Sequence, residues 1–160
     1  MHKSHSYRLH LAWTGNEGAG TASVRAYQRA HLLSAGAKQP IEGSSDPAFR
    51  GDATRWNPEE LLVAALAQCH MLWYLNLAAD AGVVVHAYTD RPEGVMVQDG
   101  SGGGGQFERV QLHPQVTVAS ADMVAKAQSL HEDVPALCFI SRSVNFPVEH
   151  FPAAHVAADR

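Results

Sequence analysis

Asn57-Pro58-Glu59-Glu60-Leu61-Leu62-Val63-Ala64-Ala65-Leu66-Ala67-Gln68-Cys69-His70 is the stretch whose reading decides the fold. Asn57 offers a side-chain acceptor for an N-cap, and Pro58 suits the first helical position. Glu59 and Glu60 complement the positive end of the helix dipole. No breaker follows until Gly82, so the spacing predicts a helix running to about Asp80 and ending at that glycine. From 61 to 75 the helix is apolar nearly all round, and a helix without a polar face is expected to be buried on all sides. Gln68, His70 and Asn76 interrupt the apolar run, which falls short of the ~20 residues needed to cross a bilayer.

Outward from this helix the pattern changes to strands. Tyr7, Leu9, Leu11 and Trp13 alternate with Arg8, His10 and Ala12, which reads as a half-buried strand. A glycine-rich turn at 15–20 leads to a returning strand at 21–27, an expected N-terminal hairpin. Residues 36–56, rich in Gly, Pro, Ser and Asp, read as a long loop of the functional or partner-covered kind. Beyond the helix, Val83–Thr89 reads as a strand, and 95–97 and 107–118 as a hairpin around the tip Gly100–Gly105. Pro114 reads as a bulge or edge position. A second helix is expected over 122–133, a short turn from Pro135 carrying Cys138, and a closing strand over 144–148. The fold class is α+β, one domain over residues 1–160. A buried central helix is hard for one chain of this size to cover, and an obligate homodimer with the helices packed together covers it most simply.

Apolar residues make up 46% and charged residues 18% of the chain, a composition that fits a globular protein slightly sparse in charge. The net charge of −4, with no Lys/Arg cluster, argues against a nucleic-acid partner. No apolar stretch follows Met1, so no signal peptide and no membrane partner are expected. The expected compartment is the cytoplasm, where thiols stay reduced. Gly100–Gly105 matches GxGxxG, but the residues after it alternate as a strand, and phosphate binding there would need a helix N-terminus. The ten histidines lack metal-ligand spacing, so they read as solvated or core residues, with no metal and no cofactor expected. No GxSxG is present to support a serine nucleophile.

Two cysteines remain. Cys69 lies on the long helix and Cys138 lies in Leu137-Cys138-Phe139-Ile140-Ser141. The pair suits a two-cysteine redox site, and equally two inert core thiols. The helical neighbours of Cys69 are Leu62, Ala65, Leu66, Leu72, Trp73 and Asn76, and apolar burial raises a thiol pKa. The helix dipole acts in the first turn, about three turns away. A reactive Cys69 therefore needs a cation from elsewhere, and Arg50 and Arg55, in the loop before the helix, are the nearest in sequence.

The Asn57-Pro58-Glu59-Glu60-Leu61 opening, the Cys69 spacing and Cys138-Phe139-Ile140-Ser141 downstream together resemble the OsmC/Ohr family, over nearly the whole chain. The resemblance implies an intertwined homodimer, with long central helices wrapped by antiparallel β-sheets and sites at the subunit interface. It implies a thiol-dependent peroxidase acting on organic hydroperoxides, with hydrogen peroxide a further candidate oxidant. Cys69 corresponds to the peroxidatic cysteine, which becomes a sulfenic acid. Cys138 corresponds to the resolving cysteine, which forms a disulfide with it that a dithiol or lipoyl-type reductant reopens. Glu59 corresponds to the glutamate that orients a catalytic arginine. The family carries that arginine in the first hairpin or the loop before the helix. The turn Asn16–Gly20 has none, which makes Arg50 the first candidate and Arg55 the second. The alternative is a non-catalytic relative that binds a small apolar ligand at the dimer interface.

Overall fold

The computed structural model describes residues 3–100 and 104–157. They pack as two units whose boundary falls between Leu61 and Leu62. In the first unit, β1 (His10–Trp13), β2 (His31–Ser34) and β3 (Ile41–Gly43) form an antiparallel sheet in that order. The returning strand is therefore 31–34 and not the expected 21–27, with His10 opposite Ser34 and Trp13 opposite His31. The reason is local. Asn16 Oδ1 accepts from the amides of Gly18 (2.9 Å) and Gly20 (3.0 Å). Ala22 and Ala26 donate back to Ala19 and Ser23 in successive turns. Residues 16–26 thus form successive turns in place of a strand, and Asn16 meets Tyr27 in an isolated antiparallel bridge.

The long loop is also more ordered than its composition suggests. It contains β3 and a 3-10 turn at Pro47–Phe49, capped by the Asp46 side chain, which accepts from Ala48 N at 2.7 Å. Two backbone hydrogen bonds, Ser44 N to Trp56 O (2.9 Å) and Trp56 N to Glu42 O (3.2 Å), tie its end to β3.

Helix α1 (Pro58–Asp80) is bounded as its sequence predicts. Asn57 Oδ1 accepts from Glu60 N (2.8 Å), and Glu60 Oε2 accepts from Asn57 N (3.2 Å), a reciprocal capping box. At the other end Gly82 takes φ +73°, Val83 N donates to Ala78 O (2.8 Å) and Gly82 N to Ala79 O (3.1 Å). These are the paired hydrogen bonds of a glycine C-cap. The apolar run read from the sequence falls short of a bilayer span, but the whole helix of 23 residues is long and apolar enough to cross one by length and composition. All-round burial is not met within one chain. Only the stripe Leu66, His70, Tyr74, Ala78 is buried, spaced four apart on one face, while Leu72 is 62% exposed.

The rest of the second unit builds two three-stranded sheets. One runs β4 (Val85–Thr89), β7 (Gln115–Val118), β9 (Ala153–Val156). The other runs β5 (Glu93–Gln98), β6 (Gly105–Leu112), β8 (Val148–His150). Hairpin β5–β6 flanks the glycine-rich tip as expected; residues 101–103 of that tip lie outside the described residues. The expected strand 107–118 is divided at Pro114, and its neighbour is divided at Pro152. The parallel register continues across both breaks, with Leu112 opposite His150 and Gln115 opposite Ala153. A proline has no amide to give the ladder. The two strands therefore break at the same level, where Phe151 N and Ala153 N still reach Leu112 O and Pro114 O at 2.9 Å. Strand β9 is an addition: the sequence around His155 reads as a polar tail.

The expected second helix is shorter than 122–133. It is a 3-10 turn at Ala121–Met123, α2 (Val124–Ser129) and another 3-10 turn at Leu130–Glu132, followed by α3 (Val134–Leu137). Ser129 Oγ donates to Lys126 O (3.0 Å), a second donor to the carbonyl that also accepts from Leu130 N at the point where α2 tightens. Two buried clusters fill the unit. The larger joins Tyr74, Ala78, Val116, Val118, Ala127, Leu130, Val134 and Cys138, and the smaller joins Leu66, Val110 and Leu112.

Leu66→Ala should cost about 2–5 kcal/mol, since Leu66 is only 1% exposed in a packed core. Asn57→Ala should cost about 1 kcal/mol and Asn57→Ser much less. Urea denaturation followed by circular dichroism checks both; equal losses for Ala and Ser at 57 would show that the cap is not what Asn57 contributes.

Candidate functional site

Helix α1 supplies Cys69, half-buried, and α3 ends on Cys138, 1% exposed. Cys138 turns the chain out of the helix (φ −69°, ψ 108°), while its N–H still donates to Val134 O at 2.9 Å. Ser141 N then donates to Cys138 Sγ at 3.3 Å, so the turn holds the sulfur in place. Cys69 packs against the cluster that contains Cys138, and both are free thiols. Burial pushes the Cys138 thiol up to about 11, a hydrogen bond shared with Cys69 pushes the same way, and the Ser141 amide opposes them. Cys138 is therefore a protonated thiol at neutral pH, held beside the sulfur of Cys69.

Next to the thiols lies a group of histidines that the sequence does not single out. His70 follows Cys69 on α1, His131 comes from the turn before α3, and His150 from β8. His70 Nε2 and His131 Nδ1 share a hydrogen bond of 2.9 Å, with ring planes 10° apart. The His150 ring meets His70 edge-on at 5.0 Å between centroids, and Tyr74 stacks on His131 at 3.9 Å. Tyr74 Oη in turn donates to Ala127 O at 3.1 Å. Burial lowers the His70 pKa to about 3, helped by the charges that His131 and His150 would carry. Burial and His150 lower His131 to about 4. Burial lowers His150 as well. All three rings are neutral at pH 7. Among the described residues, no set of three or more His, Cys, Asp or Glu is arranged to hold a metal ion. These histidines span α1 to β8 with no spacing to connect them, and the doublet Cys69-His70 was the one local hint.

In the first unit, Arg50 is the left-handed residue (φ +66°) that ends the Pro47–Phe49 turn, and its side chain is exposed. Arg55 is engaged, with Nη1 3.6 Å from Glu42 and Nε 3.4 Å from Asp52. Hydrogen bonds from the Thr54 hydroxyl (2.7 Å) and amide (2.9 Å) hold the Asp52 carboxyl below its usual range, and Arg55 adds to this. Glu59 sits in the first turn of α1, and its Oε2 is buried without a hydrogen-bond partner among the described residues. Of the expected site residues, the structure brings Cys69 and Cys138 together. Glu59 shares the helix of Cys69 but lies near its start.

The family described as OsmC-like protein matches residues 51–150. An OsmC-like protein of unknown function from Vibrio cholerae is similar in structure, with a TM-score of 0.83 and 26% identity, covering 93% of this chain and 99% of its own. An organic hydroperoxide resistance protein from Elizabethkingia anophelis, solved with thiocyanate bound, has a TM-score of 0.65 at 18% identity over 97% of this chain and all of its own. The organic hydroperoxide resistance protein OhrB of Bacillus subtilis has a TM-score of 0.60 at 17% identity, over 94% and 98%. These last two likenesses establish the fold alone. No match is found among curated proteins.

The neutral histidines make stability depend on pH. His70 and His131 stay unprotonated in the folded chain down to about pH 3 and 4, whereas unfolded histidine takes a proton near 6.5. The unfolded chain binds more protons between those values, so stability is full above about 6.5 and falls as the pH drops below it. Each histidine contributes a slope of up to ~1.4 kcal/mol per pH unit. Urea midpoints should fall steadily from pH 7 to pH 4.5, and His70→Gln should make that fall shallower. A wild-type midpoint that does not move across this range would mean that the rings are not buried in the neutral form.

Proposed function

We propose that this chain, which belongs to the OsmC-like protein family, is a thiol-dependent peroxidase that reduces organic hydroperoxides. The observation that carries the reading is the pairing of thiols from distant parts of the chain, half-buried Cys69 on α1 beside buried Cys138 at the end of α3. The names of the Elizabethkingia and Bacillus relatives support it. As thiolate, Cys69 attacks the terminal peroxide oxygen, the O–O bond breaks, the alkoxide leaves and takes a proton from water to become the alcohol, and Cys69 becomes a sulfenic acid. Cys138 displaces the hydroxyl to form a disulfide, and a dithiol or lipoyl-type reductant restores both thiols.

A thiolate in this apolar setting needs a cation. Arg50 is the better candidate, because Arg55 is already held by Glu42 and Asp52 while Arg50 forms no ion pair among the described residues. The buried, unpartnered Oε2 of Glu59 is suited to receive and orient a guanidinium. The one-sided burial of α1 and its exposed Leu72 support a homodimer in which a second copy covers the helix. The cavity beside Cys138 has room for little more than a water molecule, which favours thiol chemistry over the binding of an apolar ligand there. A reducing cytoplasm is the compartment that suits this cycle.

With cumene hydroperoxide in a stopped-flow experiment, wild type should turn over with a dithiol and Cys69→Ser should not. Cys138→Ser should stop after about one equivalent, with Cys69 trapped by a sulfenic-acid reagent. Arg50→Gln should slow the first step by about a hundredfold or more, the scale of losing one charge-stabilising donor. Arg55→Gln should have a much smaller effect. Mass spectrometry that finds Cys69 unmodified after exposure to the peroxide would overturn the reading.

A further inference from the structure

Beside Cys138 lies a small cavity, about 10 Å³ of room for the centre of a water molecule, lined among others by His70, Cys138, Ser141 and His150. One ordered water needs about this much space and two to four polar partners. Such partners are present. Cys138 and Ser141 line the cavity with His150, whose Nε2 is buried with no partner among the described residues. Nε2 of His131 is likewise buried and unpartnered, one hydrogen bond beyond His70. The remainder of the wall includes the apolar Leu66, Leu112 and Val148.

Resting on the peroxidase reading, we propose that His70 and His150, through one water held in this cavity, relay the thiol proton of Cys138 during disulfide formation. In that step a bond forms between the sulfurs of Cys138 and Cys69, and the S–O bond of the Cys69 sulfenic acid breaks. The electron pair of that bond leaves with the oxygen. The Cys138 sulfur is oxidised to the disulfide level and the Cys69 sulfur is reduced to it. The proton released by Cys138 passes through the water and the imidazoles and combines with the departing hydroxide to give water, and the rings end neutral as they began. A neutral imidazole has one N–H and one free lone pair, so it can accept on one side and donate on the other.

The relay answers a specific difficulty. A thiol pushed up to about 11 has a very small thiolate fraction at neutral pH, so an unassisted attack would be slow. The titratable groups facing Cys138 are Cys69, His70 and Tyr74 from α1, His131 from the turn before α3, and His150 from β8; strand β6 contributes apolar Leu112. None of them is a cation at neutral pH that would create the thiolate in advance. Removing the proton during the attack is what remains. His70 and His150 are positioning residues in this scheme, because they act through the water.

The test reads two steps separately after mixing with cumene hydroperoxide: trapping of the Cys69 sulfenic acid, and formation of the disulfide, each from pH 5.5 to 8.5. This window lies above the values of His70 and His131 and well below that of Cys138, and burial lowers His150 as well. With the relay, the wild-type disulfide step is nearly independent of pH. In His150→Gln and His70→Gln it is at least tenfold slower at pH 7 and rises about tenfold per pH unit, as attack by preformed thiolate requires. A wild-type disulfide step that itself rises tenfold per unit overturns the relay, and so do variants that keep the wild-type rate and flat profile. The wild-type profile decides the matter even if a variant fails to fold. Absence of any sulfenic acid in wild type is a different result, which sinks the peroxidase reading and takes the relay with it.

Discussion

The hydrogen bond between His70 and His131 is the constraint around which the second unit is arranged. The buried stripe of α1 places an imidazole between Leu66 and Tyr74 in a core that offers few polar partners. An unpaired polar group there would carry a penalty of a few kcal/mol. His131 meets that need at 2.9 Å, Tyr74 covers the face of the His131 ring, and the Tyr74 hydroxyl is satisfied in turn by the backbone of α2. Each polar group on the stripe thus anchors a different part of the segment that leads to α3. The end of α3 is where Cys138 turns towards Cys69, so the polar pairing in the core also positions the second thiol.

The same burial sets the chemistry. Desolvation lowers the histidines and raises the Cys138 thiol, so the neighbourhood of the sulfurs is neutral across the ordinary pH range. A neutral, enclosed site keeps a thiol inert until something acts on it. Two devices are needed for a redox cycle, a charge to make the first thiolate and an acceptor for the proton of the second. The proposed roles of Arg50 and Glu59 address the first, and the histidines with their cavity address the second.

Much of the helical skeleton was legible in the chain. The Asn57-Pro58-Glu59-Glu60 cap and Gly82 delimit α1 because capping is a local matter of backbone groups and nearby side chains. The β5–β6 hairpin and the position of Cys138 after Pro135 were legible for the same reason. The return of the first hairpin was not, because turns within 16–26 compete with the ladder and win by local hydrogen bonds. Strand β9 was not, because it is held by a parallel partner far away in sequence, β7, and its own residues Ala153-Ala154-His155-Val156 show little alternation.

By itself, then, the sequence determined one long capped apolar helix with a cysteine three turns in, a second cysteine after a late proline, and an α+β frame of the OsmC kind. These follow from short-range rules of capping and periodicity and from motif spacing. The tertiary structure alone decided that the two thiols are neighbours, that three histidines from separate elements gather beside them, and that one stripe of α1 is covered while Leu72 is left exposed. Those outcomes depend on which distant surfaces meet, and the free energy of burying a side chain is defined only when its neighbours are in place.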